Sequence, residues 1–280
     1  MSSNPTAEAL PDDLAFELQR TAQERGPLGH PLYYFHQIGS TNDEAARLAE
    51  RGAPQGTTVI ASAQTAGRGR FGRTWFSPPG AGLYVSVVCR DPRAAPYLSL
   101  AGGVAVAEGV TAATGLPVEI KWPNDIVIEA GPSTSLGAGR GRRRKLAGIL
   151  AEGSTSSEGL QYVVLGFGIN LRPAAYPPEI ADLATSLETE LGRQVDAGPV
   201  LAATLVALNR WLSHLTTGNS TPLLTTWRGL APSAVGAVVE WDAPSGVRSG
   251  RTLGVDDDGA LRVSVDGRVE RIISGIVRWI

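Results

Sequence analysis

The stretch that decides the fold is Gln64-Thr65-Ala66-Gly67-Arg68-Gly69-Arg70-Phe71-Gly72-Arg73-Thr74-Trp75-Phe76-Ser77, called here the arginine loop. Its three glycines and three arginines alternate, and aromatic residues follow them. Glycine lets a backbone approach a ligand closely, and arginine presents a planar fork of donors to phosphate or carboxylate. The pattern therefore predicts a cationic loop that closes on an anion. The alternative is a solvated basic loop, for example one for nucleic acid, which the flanking glutamine and aromatics disfavour.

Part of the arginine loop also fits G-x-G-x-x-G, the fingerprint of dinucleotide-binding loops. That fingerprint needs a strand before it and a helix that opens within it, so that the pyrophosphate meets a helix N-terminus. A strand is predicted at Thr57–Ser62, but the prolines in Trp75-Phe76-Ser77-Pro78-Pro79-Gly80 exclude the helix. We therefore predict that this is not a Rossmann fold.

Composition bounds the class of protein. The chain has 280 residues and a net charge of −2, so we expect one large domain plus a small one, with any basic site confined locally. The single cysteine, Cys89, cannot form an internal disulfide and fits a reducing cytosol. The three histidines are scattered, without metal-ligand spacing. We find no signal peptide and no bilayer-spanning apolar run, and we predict a cytoplasmic protein.

Hydrophobic periodicity gives a coarse order of elements. Helices are predicted at residues 12–24, 40–52, 97–114, 181–191 and 200–215. Strands are predicted at residues 32–35, 57–62, 82–89, 118–122, 126–128, 145–152 and 161–170, the last ones as a meander. Thr41 and Glu44 have the spacing of a capping box at a helix start. The helix at 97–114 is rich in Ala, Gly and Val, so its small face should pack closely on a sheet.

The pattern changes near Leu230 to short strands, predicted at residues 237–241, 250–255, 260–265 and 269–274. Asp256-Asp257-Asp258-Gly259 is a hairpin signal between two of them. This end of the chain predicts a small all-β, SH3-like domain. We divide the chain into an N-terminal helical extension (1–28), a catalytic domain (29–229) and the C-terminal domain (230–280).

A low-complexity insertion occupies residues 130–144 and ends Gly-Arg-Gly-Arg-Arg-Arg. It resembles a nucleic-acid or nuclear-localisation patch. We favour the plainer interpretation, a mobile hairpin loop with solvated charges.

Polar clusters gather at strand ends and loops around one predicted sheet, where ligand sites form on a rigid scaffold. They are Gly39-Ser40-Thr41-Asn42, the arginine loop, Lys121-Trp122-Pro123-Asn124-Asp125, and Lys145. Here the sequence resembles the biotin protein ligases. The shared motifs are G-S-T-N, Q-x-A-G-R-G-R-x-G-R-x-W-x-S-P, K-W-P-N-D, K-L-A-G-I-L and G-x-G-I-N-L, in the family's order and approximate spacing.

The resemblance implies an α+β fold: a class II aminoacyl-tRNA-synthetase-like catalytic domain with a mixed sheet and helices, followed by an SH3-like barrel. It implies a reaction in which ATP and biotin give biotinyl-5′-AMP and pyrophosphate, with Mg²⁺ carried by the nucleotide and no protein metal site. Biotin then passes to one lysine of a biotin carboxyl carrier domain, such as that of acetyl-CoA carboxylase. A monomer or a homodimer is expected.

The resemblance also implies site residues. Lys145, Arg68 and Arg70 are the catalytic cations. Biotin contacts are implied for Ser40, Thr41, Asn42, Gln64, Gly67, Arg68, Lys145, Gly148, Gly166 and Gly168. Nucleotide contacts are implied for Arg68, Gly69, Arg70, Arg73, Trp75, Asn124, Asp125 and Asn170.

Each role has a plainer alternative. Ser40 and Thr41 could only cap a helix, Asn124 could only shape a turn, and Trp75 could belong to the core. Gly166 and Gly168 could mark strand bulges rather than an approach to biotin. Lys145 could be the solvated end of a basic run, although its place at a strand start favours a functional role.

The chain departs from the family at Phe71, where many members carry another arginine. The N-terminal DNA-binding domain of the repressor-type members does not precede these motifs, so we expect a ligase without autorepression and without DNA binding. Two rivals stay open. A lipoate or octanoate transferase shares the fold but lacks the arginine loop, whereas a nucleic-acid-binding module would bind in a salt-dependent manner and consume no ATP.

Overall fold

The computed structural model describes residues 6–129, 143–243 and 246–280. Its α-helices are α1 (Asp12–Arg20), α2 (Thr41–Glu50), α3 (Leu98–Thr114), α4 (Pro178–Ala181), α5 (Leu187–Leu191), α6 (Ala197–Thr216) and α7 (Thr221–Leu230). Its strands are β1 (Leu32–Phe35), β2 (Thr58–Ala61), β3 (Gly82–Cys89), β4 (Glu119–Lys121), β5 (Asp125–Glu129), β6 (Arg143–Ser156), β7 (Gly159–Asn170), β8 (Val235–Ala243), β9 (Gly246–Val255), β10 (Leu261–Val265), β11 (Arg268–Ile272) and β12 (Val277–Trp279).

A seven-stranded sheet in the order β1-β2-β3-β7-β6-β5-β4 forms the centre of the molecule. β1 and β2 run parallel, and the other neighbours are antiparallel. The long β6–β7 hairpin is the predicted meander. This arrangement confirms the predicted mixed sheet.

Both faces of the sheet are covered at the β1–β3 end, which explains the continuous apolar run of β3. Val85 and Val87 point into the larger core cluster, whereas Val88 packs with Ala45 and Ala49 of α2 on the opposite face. Cys89 lies in the larger cluster, where burial raises the pKa of its thiol to about 12, as expected for a core cysteine.

Helix α3 fills the larger core through its small residues. A Cβ on Gly102 would lie 3.0 Å from side-chain atoms of Ile149 and Leu165, so this turn touches the sheet as predicted. On another side, a Cβ on Gly109 would lie 2.7 Å from the backbone of Thr204 in α6. Helix α1 contributes Leu14 and Leu18 to the same core, packed against α6.

The capping box predicted for Thr41 and Glu44 is wrong. Ser40 is the N-cap of α2, and its side chain accepts from the Asp43 N–H at 3.5 Å. Glu44 pairs instead with Arg47, one turn further along the helix. Thr41 is thereby left for a tertiary contact with Gln64, because the capping position belongs to its neighbour.

The single helix predicted at residues 181–191 is also wrong. The chain forms α4 and α5 with a turn and a bridge to β6 between them, where the Lys145 N–H donates to Leu183 O at 2.7 Å and the Thr185 N–H to Lys145 O at 3.0 Å. The hydrogen bonds to β6 satisfy backbone groups that a helix would otherwise have paired internally. Ser186 then caps α5.

The C-terminal strands form a five-stranded antiparallel sheet, β11-β10-β9-β8-β12. The predicted Asp256–Gly259 hairpin turn joins β9 to β10. This sheet meets the larger one where Trp122 Nε1 donates to Gly259 O at 2.9 Å. The strand β12 and the helix α7 were not predicted. The three-part division at residues 28/29 and 229/230 stays a prediction.

Residues 130–142 of the insertion lie outside the described residues. The last two arginines of the insertion belong to β6. They form ion pairs, so the prediction that the charges of the insertion are solvated is wrong for these two residues. Arg143 faces Glu119 at 3.5 Å, and Arg144 pairs with Glu190 at 2.7 Å.

Candidate active site

A cavity of ≈ 380 Å³ lies on the face of the sheet that carries α2, at the N-terminal end of that helix. Its floor is formed by β6 and β7, and the arginine loop lies over it. It brings together these predicted site residues: Ser40, Thr41, Asn42, Gln64, Arg68, Gly69, Arg70, Arg73, Trp75, Asn124, Asp125, Lys145, Gly148, Gly166, Gly168 and Asn170. Gly67 is the exception, since it lines a smaller depression on the other side of the loop.

A buried polar network forms one end of the cavity. Gln64 Oε1 accepts from the Thr41 N–H at 2.8 Å and from Thr41 Oγ1 at 3.1 Å, and Gln64 Nε2 donates to Ser77 Oγ at 3.0 Å. Ser40, Thr41 and Asn42 are at most 5% exposed. Buried polar groups in fixed positions suit recognition of a polar ring.

Ser86 and Glu152 extend this network and were missed by the sequence reasoning. Ser86 Oγ lies 2.8 Å from Thr41 Oγ1 and 2.6 Å from Asn42 Oδ1. Asn42 Nδ2 donates to Glu152 Oε2 at 2.7 Å. The period-two pattern of β6 places Glu152 on the same face as Gly148, which is the signal that could have found it.

Three glycines of the cavity floor make room for side chains of the protein itself. A Cβ on Gly168 would lie 2.7 Å from Trp75 Cε2, and one on Gly148 would lie 2.9 Å from Trp75 Cζ3. A Cβ on Gly166 would lie 2.9 Å from Asn42 Cγ. In this structure the close approach at these glycines is therefore to Trp75 and Asn42, and a further approach to biotin stays a prediction.

The middle of the cavity is cationic. Lys145 Nζ lies 2.5 Å from Asp125 Oδ1 and 5.0 Å from the centre of the Trp75 ring. Burial lowers the pKa of Arg70, which Asp125 partly offsets. Asp125 is the sole carboxylate among the described residues that line the cavity, so positive charge predominates there.

Lys121 is a further cavity cation that the predicted site did not include, although it belongs to the K-W-P-N-D motif. Burial lowers the pKa of its ammonium; Asp125 opposes the shift, and Lys145, Arg143 and Arg73 add to it. Its Nζ lies 5.0 Å from the centre of the Trp279 ring, a cation–π contact with the C-terminal sheet. Residues 275–277 of that end of the chain also line the cavity.

Two predicted side chains have structural partners. Asn124 Nδ2 donates to Ile149 O at 2.6 Å, and Asn170 Nδ2 donates to Thr185 O at 2.9 Å. The plainer alternative for Asn124, a role in shaping its turn, therefore has direct support. Gly67 is required by the loop itself, because a Cβ there would lie 2.5 Å from Trp75 O.

The arginine loop is a tight hairpin rather than the start of a long helix. The Gly69 N–H donates to Arg73 O at 2.7 Å and the Trp75 N–H to Gly67 O at 2.9 Å, with one 3₁₀ turn at Arg70–Gly72. This agrees with the predicted absence of a Rossmann fold. Phe71, the departure from the family pattern, is 57% exposed and lies under the Arg70 guanidinium.

Two general features bear on the chemistry. Within residues 6–129, 143–243 and 246–280, no three His, Cys, Asp or Glu side chains are grouped so that they could hold a metal ion. The same part of the chain contains no helix with the length and apolarity needed for a membrane crossing.

Known proteins share this architecture and these motifs. The model of the biotin/lipoate A/B protein ligase family matches residues 34–170. The bifunctional ligase/repressor BirA of Bacillus subtilis is 33% identical over 252 residues, which cover 88% of this chain and 73% of that protein. A biotin–[acetyl-CoA-carboxylase] ligase of Mycobacterium tuberculosis is 34% identical over 255 residues, 86% of each chain.

Among solved structures, the biotin protein ligase from Aquifex aeolicus in complex with biotin and ATP has a TM-score of 0.73 and 26% identity, covering 89% of this chain and 99% of that one. These similarities confirm the fold class and the enzyme class predicted from the motifs, an ATP-dependent biotin ligase. The arginine loop, the K-W-P-N-D turn and the β6–β7 meander, which carry the motifs, meet in one cavity. With these motifs and relatives, the chain belongs to the biotin protein ligase family.

Proposed function

We propose that this cavity activates biotin as biotinyl-5′-AMP with ATP and then transfers the biotinyl group to a lysine of a carboxylase biotin carrier domain. The observation that carries the proposal is the meeting of a buried polar end and a cationic centre in one cavity. Biotin needs the first for its ureido ring and the second for its carboxylate.

The polar end supports a role in holding the ureido ring. Hydrogen bonds within the protein hold the polar atoms of Ser40, Thr41 and Gln64 in fixed positions, and these atoms offer a ureido ring polar contacts that an acyl chain cannot use. A lipoate or octanoate substrate fits this end poorly for that reason. The Trp75 indole, packed on Gly148 and Gly168, forms an apolar wall beside it.

The cationic centre suits the first step. The biotin carboxylate oxygen attacks the α-phosphorus of ATP, a C–O–P bond forms, and the bond to pyrophosphate breaks. Two anions must approach each other, so catalysis rests on positioning and electrostatic stabilisation. Lys145 and Arg70 both interact with Asp125 and carry the positive charge that neutralises the carboxylate and the α-phosphate. Arg68, Arg73 and Lys121 add charge for the other phosphates.

The residues present fit a Mg²⁺ ion carried by the nucleotide. Mg²⁺ is usually bound by one or two carboxylates together with substrate phosphates, and Asp125 supplies one carboxylate at the cationic centre. Asn124 lies next to it on the same turn. When bound, the ion would neutralise phosphate charge, and Asp125 would hold it as well as pairing with Lys145.

In the second step the carrier lysine attacks the biotinyl carbonyl, an amide forms and AMP leaves. The carrier, a monomeric or dimeric state, a cytoplasmic location and the absence of DNA binding belong to this proposal. The carrier is supported by the name of the Mycobacterium tuberculosis relative, a biotin–[acetyl-CoA-carboxylase] ligase, and the cytoplasmic location by the single cysteine.

Lys145→Ala tests the proposal directly. If the ammonium stabilises charge that develops during adenylation, the variant should slow biotinyl-5′-AMP formation far more than it weakens biotin binding. Single-turnover adenylation and calorimetric biotin binding measure the two effects, and Arg172→Ala, on an exposed arginine away from the cavity, is the control. If Lys145→Ala formed the adenylate at the wild-type rate, Lys145 would have no catalytic role and would be only a solvated charge.

A further inference from the structure

The Arg68 guanidinium is held by two carboxylates that do not line the cavity. Its Nη2 lies 2.6 Å from Asp43 Oδ1 and 2.8 Å from Glu152 Oε2. The contact with Glu152 is a charge-assisted hydrogen bond, which is the stronger kind, whereas the contact with Asp43 is an ion pair. Both acids contact the same nitrogen, so within the described residues the Nε and Nη1 groups of Arg68 stay free to donate to an anion.

Glu152 also binds the buried end of the cavity. The same oxygen that accepts from Arg68 accepts from Asn42 Nδ2 at 2.7 Å. Asn42 can reach this position because residue 166 is a glycine; any side chain there would collide with it. A line of hydrogen bonds therefore runs from Arg68 through Glu152, Asn42 and Ser86 to Thr41 and Gln64.

That line of hydrogen bonds closes on the arginine loop itself. Gln64 opens the loop and binds Ser77 at its end, whereas Arg68 is within it. Glu152 lies on β6, one of the rigid central strands. Glu152 thus fixes the Arg68 side chain, which the backbone hydrogen bonds of the hairpin do not constrain.

We infer that Glu152 is a positioning residue: by holding Arg68 Nη2 it aims the remaining donors of that arginine at the acyl phosphate and so retains biotinyl-5′-AMP. The inference rests on the role proposed above for Arg68. Asp43 shares the contact but is 59% exposed, against 38% for Glu152, so Glu152 dominates. Since Glu152 does not line the cavity, it acts through Arg68 and not on the substrate.

The test is the release rate of radiolabelled biotinyl-5′-AMP from the full chain. Losing one hydrogen bond to a charged group corresponds to about a tenfold change in affinity. Glu152→Ala should therefore release the adenylate about tenfold faster, and Glu152→Gln, which keeps an acceptor without the charge, should lie between it and wild type. The melting temperature of Glu152→Gln, which keeps an acceptor, should stay near that of the wild type, whereas that of Glu152→Ala should fall because the buried Asn42 Nδ2 loses its acceptor.

A double-mutant cycle separates positioning from a general structural effect. Arg68→Ala/Glu152→Ala should release the adenylate no faster than Arg68→Ala alone, apart from a small part carried by Asn42. Glu158→Ala, on the exposed β6–β7 turn, should match wild type. Equal acceleration by Glu152→Ala in both backgrounds, or wild-type release in both Glu152 variants, would overturn the inference. Wild-type release in Arg68→Ala would instead contradict the role of Arg68.

Discussion

At the residue scale, the two glycines beneath Trp75 set the position of the indole. A Cβ on Gly168 would lie 2.7 Å from Trp75 Cε2, and the indole has little room to retreat because Gly148 contacts it as well. The wall of the proposed biotin site therefore depends on the absence of two side chains.

Gly168→Ala should displace Trp75 and weaken biotin binding by about tenfold or more. Steric overlap in a packed site forces shifts that typically cost about 1–3 kcal/mol. Gly153→Ala on the same hairpin is the matched control, since its Cβ would lie 3.7 Å from the nearest atom, an ordinary contact. Calorimetric titration with biotin measures both variants. Equal affinities would show that the indole position is immaterial to biotin.

Lys121 supports a prediction about pH. Burial lowers the pKa of its ammonium, so it loses its proton at a lower pH than an ordinary lysine does. The charge is present below that pKa and is lost as the pH rises through it. The KM for ATP should therefore increase on the alkaline side in the wild type.

Lys121→Arg should keep its charge and extend the flat region of that profile to higher pH, because arginine stays protonated. Steady-state adenylation across the alkaline range, with biotin saturating, measures the KM for ATP. A profile in Lys121→Arg that coincides with the wild type would show that Lys121 does not hold phosphate.

Motif residues could be located from the sequence because their types and spacing carry the chemistry directly. Their supporting residues could not. Ser86 and Glu152 bind Asn42 from 44 and 110 residues away, and neither belongs to a motif with a chemical signature. The capping box failed because the helix begins one residue earlier than the Thr41–Glu44 spacing predicted: Ser40 is the N-cap, and the Thr41 hydroxyl donates to Gln64 instead.

At the scale of elements, the tip of the arginine loop at residues 71–74 has little to hold it. Backbone hydrogen bonds close the neck of the hairpin and Arg68 is tied to Glu152 and Asp43, whereas residues 71–74 are exposed. Segments with few packed contacts open easily, and repulsion among three cations adds to this.

Ligand should therefore protect the loop. Hydrogen exchange at Gly67–Arg73 should slow when biotin or biotinyl-5′-AMP is added, because an anion neutralises the arginines and closes the hairpin. β3, buried throughout, is the internal control and should not change. Exchange at the loop that is equal with and without ligand would contradict this account.

Helix α3 shows that the residue types of one helix were sufficient to predict how it packs. Its small residues predicted close packing, and the structure confirms it at the sheet through Gly102. The break in the helix predicted at 181–191 could not be read from the sequence, because it depends on hydrogen bonds between residues 183–185 and Lys145 on a distant strand. That break matters for the site, since it fixes the backbone that carries Lys145.

Gly109→Ala should lower the free energy of unfolding by about 1–3 kcal/mol, since its Cβ would overlap Thr204 of α6. Gly103→Ala on the same helix is the control: its Cβ would lie 3.7 Å from Ile120, and alanine is the better helix former by about 1 kcal/mol. Urea unfolding measures both. A Gly109→Ala variant as stable as wild type would mean that α3 and α6 do not pack as closely as described.

At the scale of the whole molecule, the cavity is assembled from both sheets. Residues 275–277 line it, and Trp279 covers Lys121. The sequence predicted the strands of the C-terminal region but not their contact with the site, because no local pattern records which surface a small domain will cover. Strand β12, which carries Trp279, was not predicted because its three residues are too few to show a periodic pattern.

The central claim is that this cavity joins biotin to AMP, and mass spectrometry of a single incubation tests it most directly. Purified protein is mixed with biotin, ATP and Mg²⁺ without carrier, then quenched and analysed, with lipoate in a parallel sample. The account predicts biotinyl-5′-AMP together with pyrophosphate in the biotin sample and no adenylate from lipoate. No adenylate from biotin, or an equal yield from lipoate, would contradict it.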